Sequence, residues 1–321
     1  MSRIRLSTSA SITPTPAGVI LSSDLGTFQV TGADVRTFLE RIAPLLDGTR
    51  DRDAITAELS DYAPKSVAAF LELLHKRGLI EEVPENALAD DRLRGQDEFL
   101  RRWAGPEADP AARLAGGRVL LAGLEPWGAA AAVELAAAGI GALSLFDDEA
   151  ARRDALAERL RGLAPSCRVD AAALTAIEEA APADLIVAAI APADAARVEQ
   201  VARSSERASV RCLWAHVAGE TAFLGPLSTP GRTACRLCAA AEAVNPPLGC
   251  AAADGARAAL APALLGHLAA LEVIKIVSGY APSILGGQLL VVDPATHETR
   301  LHTLVRLPWC RVCGRAAARA A

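Results

Sequence analysis

Two CxxC pairs set the tightest limit on how this chain can fold: Cys235-Arg-Leu-Cys238 and Cys310-Arg-Val-Cys313. Two such turns present four thiolates, the tetrahedral set of a structural zinc ion with bonds of ~2.3 Å. The pairs lie about seventy residues apart. One ion bound by both would therefore tie the C-terminal end back onto the domain and add roughly 10 kcal/mol or more of folding free energy. The competing readings are a redox CxxC and two chance pairs. A redox motif seldom occurs twice in one chain, and neither pair directly follows a strand in a thioredoxin-like context. Structural zinc on Cys235, Cys238, Cys310 and Cys313 is the expectation.

The rest of the chain narrows the class. At 321 residues it is long enough for two compact domains. A formal charge of −5 argues against a nucleic-acid partner, which would call for a basic face. Met1–Ala10 lacks the charged-then-apolar profile of a signal peptide. The longest apolar stretch, Ala256 to Val277, is interrupted by Arg257, His267, Glu272 and Lys275, so no membrane span is expected. A cytoplasmic protein is the resulting expectation, with seven cysteines serving as thiols or metal ligands rather than disulfides.

Three segments separate by pattern. From Ile4 to about Val30, short β-branched runs broken by Pro14, Pro16, Gly18 and Gly26 predict two or three strands. Val35, Phe38, Leu39 and Ile42 predict a helix ended by Asp47-Gly48. Ala54, Ile55 and Leu59 predict a second, and Pro64 to Leu74, stopped by Gly78, a third. Leu79-Ile80 then returns as a strand. Residues 1–84 thus form a small winged-helix-like α+β domain. Residues 85–113 read as a linker with a docking helix around Phe99 and Trp103. From residue 114 to 314 strands alternate with helices: Arg118–Gly123, Leu143–Phe146, Leu185–Ile190, Val210–His216 and Gly287–Val292 are buried strands. That order predicts an α/β domain with a Rossmann-like, mostly parallel sheet. Residues 315–321 read as a frayed tail.

Gly123-Leu-Glu-Pro-Trp-Gly128 sits after a strand and before a helix, where a dinucleotide-binding turn belongs. Glu125 replaces its middle glycine and would face the phosphates. Pro126 removes an N–H that could have bonded them. A Rossmann turn without nucleotide follows, with Gly123, Gly128 and Asp147 as vestiges.

RVLLAG, AAAGIGALSLFDDE, PLSTPGRTACRLC, LLGHLAALEVIKIVSG and LPWCRVCG, in this order, resemble the ThiF-like family of ubiquitin-activating-type adenylating enzymes over roughly Leu114 to Gly314. The resemblance implies a zinc held by the same four cysteines, a homodimer, and ATP-dependent adenylation of a peptide or protein carboxylate. The catalytic parts of the family pattern are missing. No Asn-Leu-x-Arg-Gln string follows Asp147-Asp148-Glu149, the stretch before Pro165 is shortened, and the acid after the third family strand falls on Ala191. Several preorganised charges are gone at once, each worth about 10²–10³ in rate. Arg152, Arg153 and Arg159 read as surface arginines, Cys250 as a plain loop thiol, Cys167 as a surface residue and Cys212 as a core residue.

Val19-Ile20, Thr27–Val30, Leu46-Asp47-Gly48-Thr49, Phe70-Leu71 and Arg77-Gly78-Leu79-Ile80 resemble PqqD-type peptide-recognition domains, which bind the leader segment of ribosomally made, modified peptides. A leader would add a strand at Thr27, Phe28, Gln29 and Val30, with its apolar side chains against Val67, Phe70, Leu71 and Leu74 of the third helix. The bland reading is that these four fill the domain's own core. A DNA-binding winged helix is disfavoured by nine Lys/Arg against eleven Asp/Glu over residues 1–84.

Together the two resemblances imply a non-catalytic partner protein that binds a precursor leader and delivers it to a separate YcaO-type, azoline-forming cyclodehydratase. No ATP cofactor is expected. The alternatives are a live adenylating enzyme with a rearranged ATP site and, on the Gly123–Gly128 turn alone, an NAD-type oxidoreductase.

Overall fold

The computed structural model describes residues 3–7, 9–32, 34–83, 91–104, 108–179, 182–241 and 260–314. Cys250 and the tail from residue 315 lie outside the described residues. The chain divides into two compact units, Met1–Phe99 and Leu100–Ala321.

The first unit runs β1 (Arg3–Leu6), β2 (Ser11–Thr15), β3 (Gly18–Ser23), β4 (Gly26–Thr31), α1 (Val35–Ile42), β5 (Asp47–Asp51), α2 (Arg52–Glu58), α3 (Pro64–Lys76) and β6 (Ile80–Val83). β2, β3 and β4 form an antiparallel meander, while β1 pairs antiparallel with both β5 and β6. The local rules explain the helices. Asp51 caps α2 by accepting from the Ala54 N–H at 2.8 Å. Pro64 opens α3 at a position whose N–H would be unpaired. Gly78, at φ +65°, closes it, with Leu79 N–H bonding Leu74 O at 2.9 Å and Gly78 N–H bonding His75 O at 3.0 Å. The apolar face of α3 (Val67, Leu71, Leu74) packs with Ile4, Leu21, Ile42 and Ile55 in one core, and each such side chain contributes about 1.5–3 kcal/mol.

Two sequence expectations change here. Asp47-Gly48 does not end α1, which stops at Ile42 before a 3₁₀ turn containing Pro44. Asp47–Asp51 is instead a strand, recruited by pairing with β1. The N-terminal stretch also holds four strands rather than two or three.

The helix α4 (Arg94–Ala104) spans the division between the units, around Phe99 and Trp103 as expected. The second unit therefore begins before residue 114, and Leu100 belongs to its core. It continues through α5 (Pro110–Gly116), β7 (Arg118–Ala122), α6 (Pro126–Ala137), β8 (Ala142–Phe146), α7 (Ala150–Leu163), β9 (Arg168–Ala172), β10 (Leu185–Ala188), α8 (Ala195–Ala208), β11 (Cys212–Ala218), β12 (Thr221–Ser228), α9 (Arg236–Ala239), α10 (Leu260–Ser278), β13 (Gln288–Asp293) and β14 (Glu298–Thr303). One eight-stranded sheet has the order β14-β13-β12-β11-β10-β7-β8-β9. It is parallel from β11 to β9 and antiparallel from β11 to β14.

Both sheet faces are covered. Side chains from α5, α6, α7 and α10 bury one face; α8, α9 and the four cysteines cover the other. α6 and α10 pack backbone to backbone, and a Cβ on Gly266 would meet Ala130 Cβ at 2.5 Å. By length and hydropathy α10 would pass for a membrane span. In this fold it is a core helix against α6, with the buried Glu272 carboxylate bonded to Lys275 Nζ at 2.5 Å and accepting from Ser283 Oγ at 2.8 Å. Cys167 is another correction: it is buried rather than on the surface, and burial pushes its thiol up to about 11. Cys212 is in the core.

Candidate functional site

In the first unit β4 is an edge strand, bonded only to β3. Phe28 and Val30 alternate along it as half-buried residues, while Thr27 and Gln29 are exposed. Of the helix residues expected beside it, Val67, Leu71 and Leu74 are 0–2% exposed. They are core, and they do not line an open groove. Phe70 is half-buried and packs edge-on against Phe38, with ring centroids 5.1 Å apart. The residue that meets β4 is Arg77, the C-cap of α3. Its guanidinium lies over the Phe28 ring at 4.1 Å, and Ser23 Oγ donates to Arg77 O at 2.6 Å. Phe70, Leu73 and Arg77 follow one another at helix spacing, and Leu73 is 40% exposed.

In the second unit the turn from β7 into α6 is tied shut from within. Gly123 has φ +86°, and a Cβ there would meet Ala189 O at 2.4 Å; on Gly128 it would meet Gly123 O at 2.6 Å. Close packing of strand, turn and helix thus accounts for both glycines. The Asp147 carboxylate, at the end of β8, accepts from Leu124 N–H at 2.7 Å and Glu149 N–H at 2.9 Å. Both its oxygens also accept from Arg152 Nη2, at 2.9 and 3.0 Å. Burial works against its charge, but Arg152 and the two backbone donors outweigh this and hold it below the ordinary carboxylate range. Arg197 closes the other side, with Nη2 2.6 Å from Asp148 Oδ2 and Nη1 2.6 Å from Asp194 Oδ2. The space left among Glu125, Asp147, Arg152, Ala191 and Arg197 is about 50 Å³. Pockets that hold drug-sized ligands measure roughly 300–1,000 Å³.

The four cysteines converge on the opposite sheet face, all of them buried. Cys235 Sγ lies 3.9 Å from Cys238 Sγ and 3.7 Å from Cys310 Sγ, and Cys238 Sγ lies 3.4 Å from Cys313 Sγ. A tetrahedral ion with ~2.3 Å bonds needs sulfurs about 3.8 Å apart. The Cys238 sulfur also accepts from Leu307 N–H at 3.4 Å. Thiols of Cys235 and Cys313 donating to it push Cys238 down to about 3, and Cys235 is raised in return. All four sulfurs lie within 4.8 Å of one another, so they could hold a metal with small shifts of the side chains.

No protein-family model matches the chain. It is 30% identical over 255 residues to the adenylyltransferase and sulfurtransferase MOCS3 of Bos taurus, covering 72% of this chain and 55% of that protein. The Sus scrofa MOCS3 is 29% identical over 283 residues, 80% of this chain and 62% of that one. The chain therefore spans somewhat over half the length of these curated relatives. Among solved structures, MccB of E. coli superposes with a TM-score of 0.63 at 17% identity, over 98% of this chain and 97% of that one. The fold is ThiF/MoeB-like. MccB has also been solved as the microcin C7 biosynthetic enzyme in complex with N-formylated MccA, and with ATP. A heterocyclase in complex with substrate and cofactor matches at TM-score 0.60 and 18% identity, over 98% of this chain but 40% of its own.

Within the ThiF-like unit, two arginines read from the sequence as surface residues face the end of β8. Arg152 grips the Asp147 carboxylate, and Arg153 Nη1 donates to Asp147 O at 3.0 Å. Arg159 is exposed, as expected. Arg197 went unremarked in the sequence, because only the fold brings the start of α8 beside Asp148. The signal available was Asp194, which caps α8 by accepting from Arg197 N–H at 3.2 Å.

Proposed function

We propose that this chain is a non-catalytic partner in the modification of a ribosomally made peptide. It binds the precursor's leader through the first unit and delivers the peptide to a separate YcaO-type, azoline-forming cyclodehydratase. The observation that carries the reading is the closed turn. Glu125 and Pro126 replace the phosphate-binding backbone, Arg152 consumes the Asp147 carboxylate, and about 50 Å³ remains. The second unit is then a scaffold, held by one structural zinc on Cys235, Cys238, Cys310 and Cys313. Solved neighbours that carry N-formylated MccA, or a heterocyclase's substrate, support a peptide as the ligand.

The leader adds a strand to β4 and lays apolar side chains on Phe28, Phe70 and Leu73. Fluorescence polarisation with a labelled leader tests this: Phe28→Ala should weaken binding about tenfold with the fold intact. Equal affinity in wild type and Phe28→Ala would remove the groove.

A second reading, adenylation of a peptide carboxylate, is favoured by the adenylyltransferase relatives and by MccB having been solved with ATP. Calorimetry separates the two: the partner role expects no saturable ATP–Mg binding at millimolar nucleotide, the enzyme a saturable isotherm.

A further inference from the structure

A cavity of about 340 Å³ in the second unit lies at the other end of the sheet from the Gly123 turn. Its floor is Leu120 of β7 and Ile186 of β10, its walls Ile177 and Val210, and Glu178 and Arg207 stand at its mouth. The fold explains why it exists. The connection from β9 to β10 crosses the sheet as a 3₁₀ turn, Leu174–Glu179, where a full helix would have roofed these strands. Leu120 and Ile186 are 3–4% exposed, so the floor is apolar. The volume falls at the small end of the range for specific ligand pockets.

The mouth carries both signs of charge. Arg207 Nη2 pairs with Glu178 Oε1, and the side chains are 62% and 42% exposed. A ligand with a single charge would take one member of this pair and leave the other to water, a small net gain at such exposure. A zwitterion exchanges one ion pair for two, its carboxylate on Arg207 and its ammonium on Glu178. Ser204 lines the same space; its hydroxyl donates to Gln200 O at 3.0 Å and keeps its lone pairs to accept from an ammonium.

We infer that this cavity is a binding site for a free α-amino acid with a large apolar side chain, of the leucine or phenylalanine class. The side chain fills the space above Leu120 and Ile186, and the zwitterionic end opens the Glu178–Arg207 pair. This site shares no residue with the leader groove or the nucleotide turn, so it stands or falls apart from the proposed partner role.

Calorimetry on the full chain, with L-phenylalanine, L-leucine, phenylpropionate and phenethylamine as probes, tests it. Saturable binding is expected for the amino acids, about tenfold or more weaker for the acid and the amine, each of which lacks one charge. Arg207→Gln should weaken phenylalanine about tenfold while the melting temperature holds. Ala208→Leu, which narrows the cavity, should weaken binding. No saturable signal from either amino acid, equal affinity for the singly charged analogues, or undiminished binding by Arg207→Gln would each overturn the assignment. Should Ala208→Leu fail to fold, Arg207→Gln and the analogue series still decide.

Discussion

Replacing Cys313 with serine is the sharpest test of the four-sulfur cluster. The observed separations of 3.4, 3.7 and 3.9 Å bracket the ~3.8 Å of an ideal tetrahedral site. An ion entering this cluster moves its ligands by a few tenths of an ångström, so little binding energy is spent on rearrangement. Structural zinc then supplies on the order of 10 kcal/mol of folding free energy, comparable with the roughly 5–15 kcal/mol that separates a native domain from its unfolded chain. The loss should be local first. After β14 the chain to Gly314 has no strand or helix of its own; Leu304 and Val312 are buried against the sheet, and Arg311 pairs with Glu199 at 2.5 Å. Leu304 N–H bonds Gly287 O at 2.9 Å, Leu307 N–H bonds Cys238 Sγ at 3.4 Å, and Arg306 Nη1 donates to Gly231 O at 2.6 Å. The wild type should carry one zinc per chain by elemental analysis. The variant should lose the metal and the hydrogen-exchange protection of the Cys310 and Gly314 amides, which bond Leu307 O and Cys310 O. A reduced, metal-free wild type with unchanged protection and melting temperature would refute the reasoning.

Four further outcomes follow from the same structure. Leu71→Glu should unfold the first unit, at a cost of about 3–5 kcal/mol, because Leu71 is fully enclosed and the carboxylate would find no partner; a thermal melt shows it. Glu81 is pushed up to about 7 by burial and by the Glu98 carboxylate sharing Arg5, with Arg5 opposing. The folded unit therefore takes up a proton there, so this stabilisation is complete below pH ~4.5 and lost as pH rises through ~7; denaturant melts across that window should show the slope, and Glu81→Gln should flatten it. Leu260, Leu264 and Leu271 are exposed along one stripe of α10, and sedimentation should find a homodimer that Leu264→Asp with Leu271→Asp converts to monomer. Asp147→Ala should lower the melting temperature by removing the acceptor for Leu124, Glu149 and Arg152, a loss of about 1–3 kcal/mol.

The strands that could be read from the sequence are those buried on both faces. β7, β8, β10 and β11 are near-continuous apolar runs, and the alternating α/β order was enough to anticipate the sheet. β14 (ETRLHT) was hidden because it is an edge, exposed on almost every residue, with its polar face turned outward. β12 was hidden because Gly225-Pro226 inside it reads locally as a turn. β5 (DGTRD) has no strand propensity of its own and exists through its pairing with β1. The cysteines announced themselves by spacing. The helix stripe Val67-Leu71-Leu74 was legible as a stripe, but periodicity states only that one face is apolar. Whether that face meets the core or a ligand depends on which elements pack over it, and the local pattern does not contain that information.

Asp147 has a bearing on how this chain's history can be reconstructed. In a nucleotide-binding Rossmann unit an acid at this place earns its keep at the ribose. Here the same carboxylate splints the turn between β7 and α6 to the first turn of α7. Selection for a folded chain would therefore retain it whether or not a nucleotide binds. An aspartate at the end of β8 in descendants of this protein is accounted for by the turn it holds, and its presence alone is no trace of adenylation.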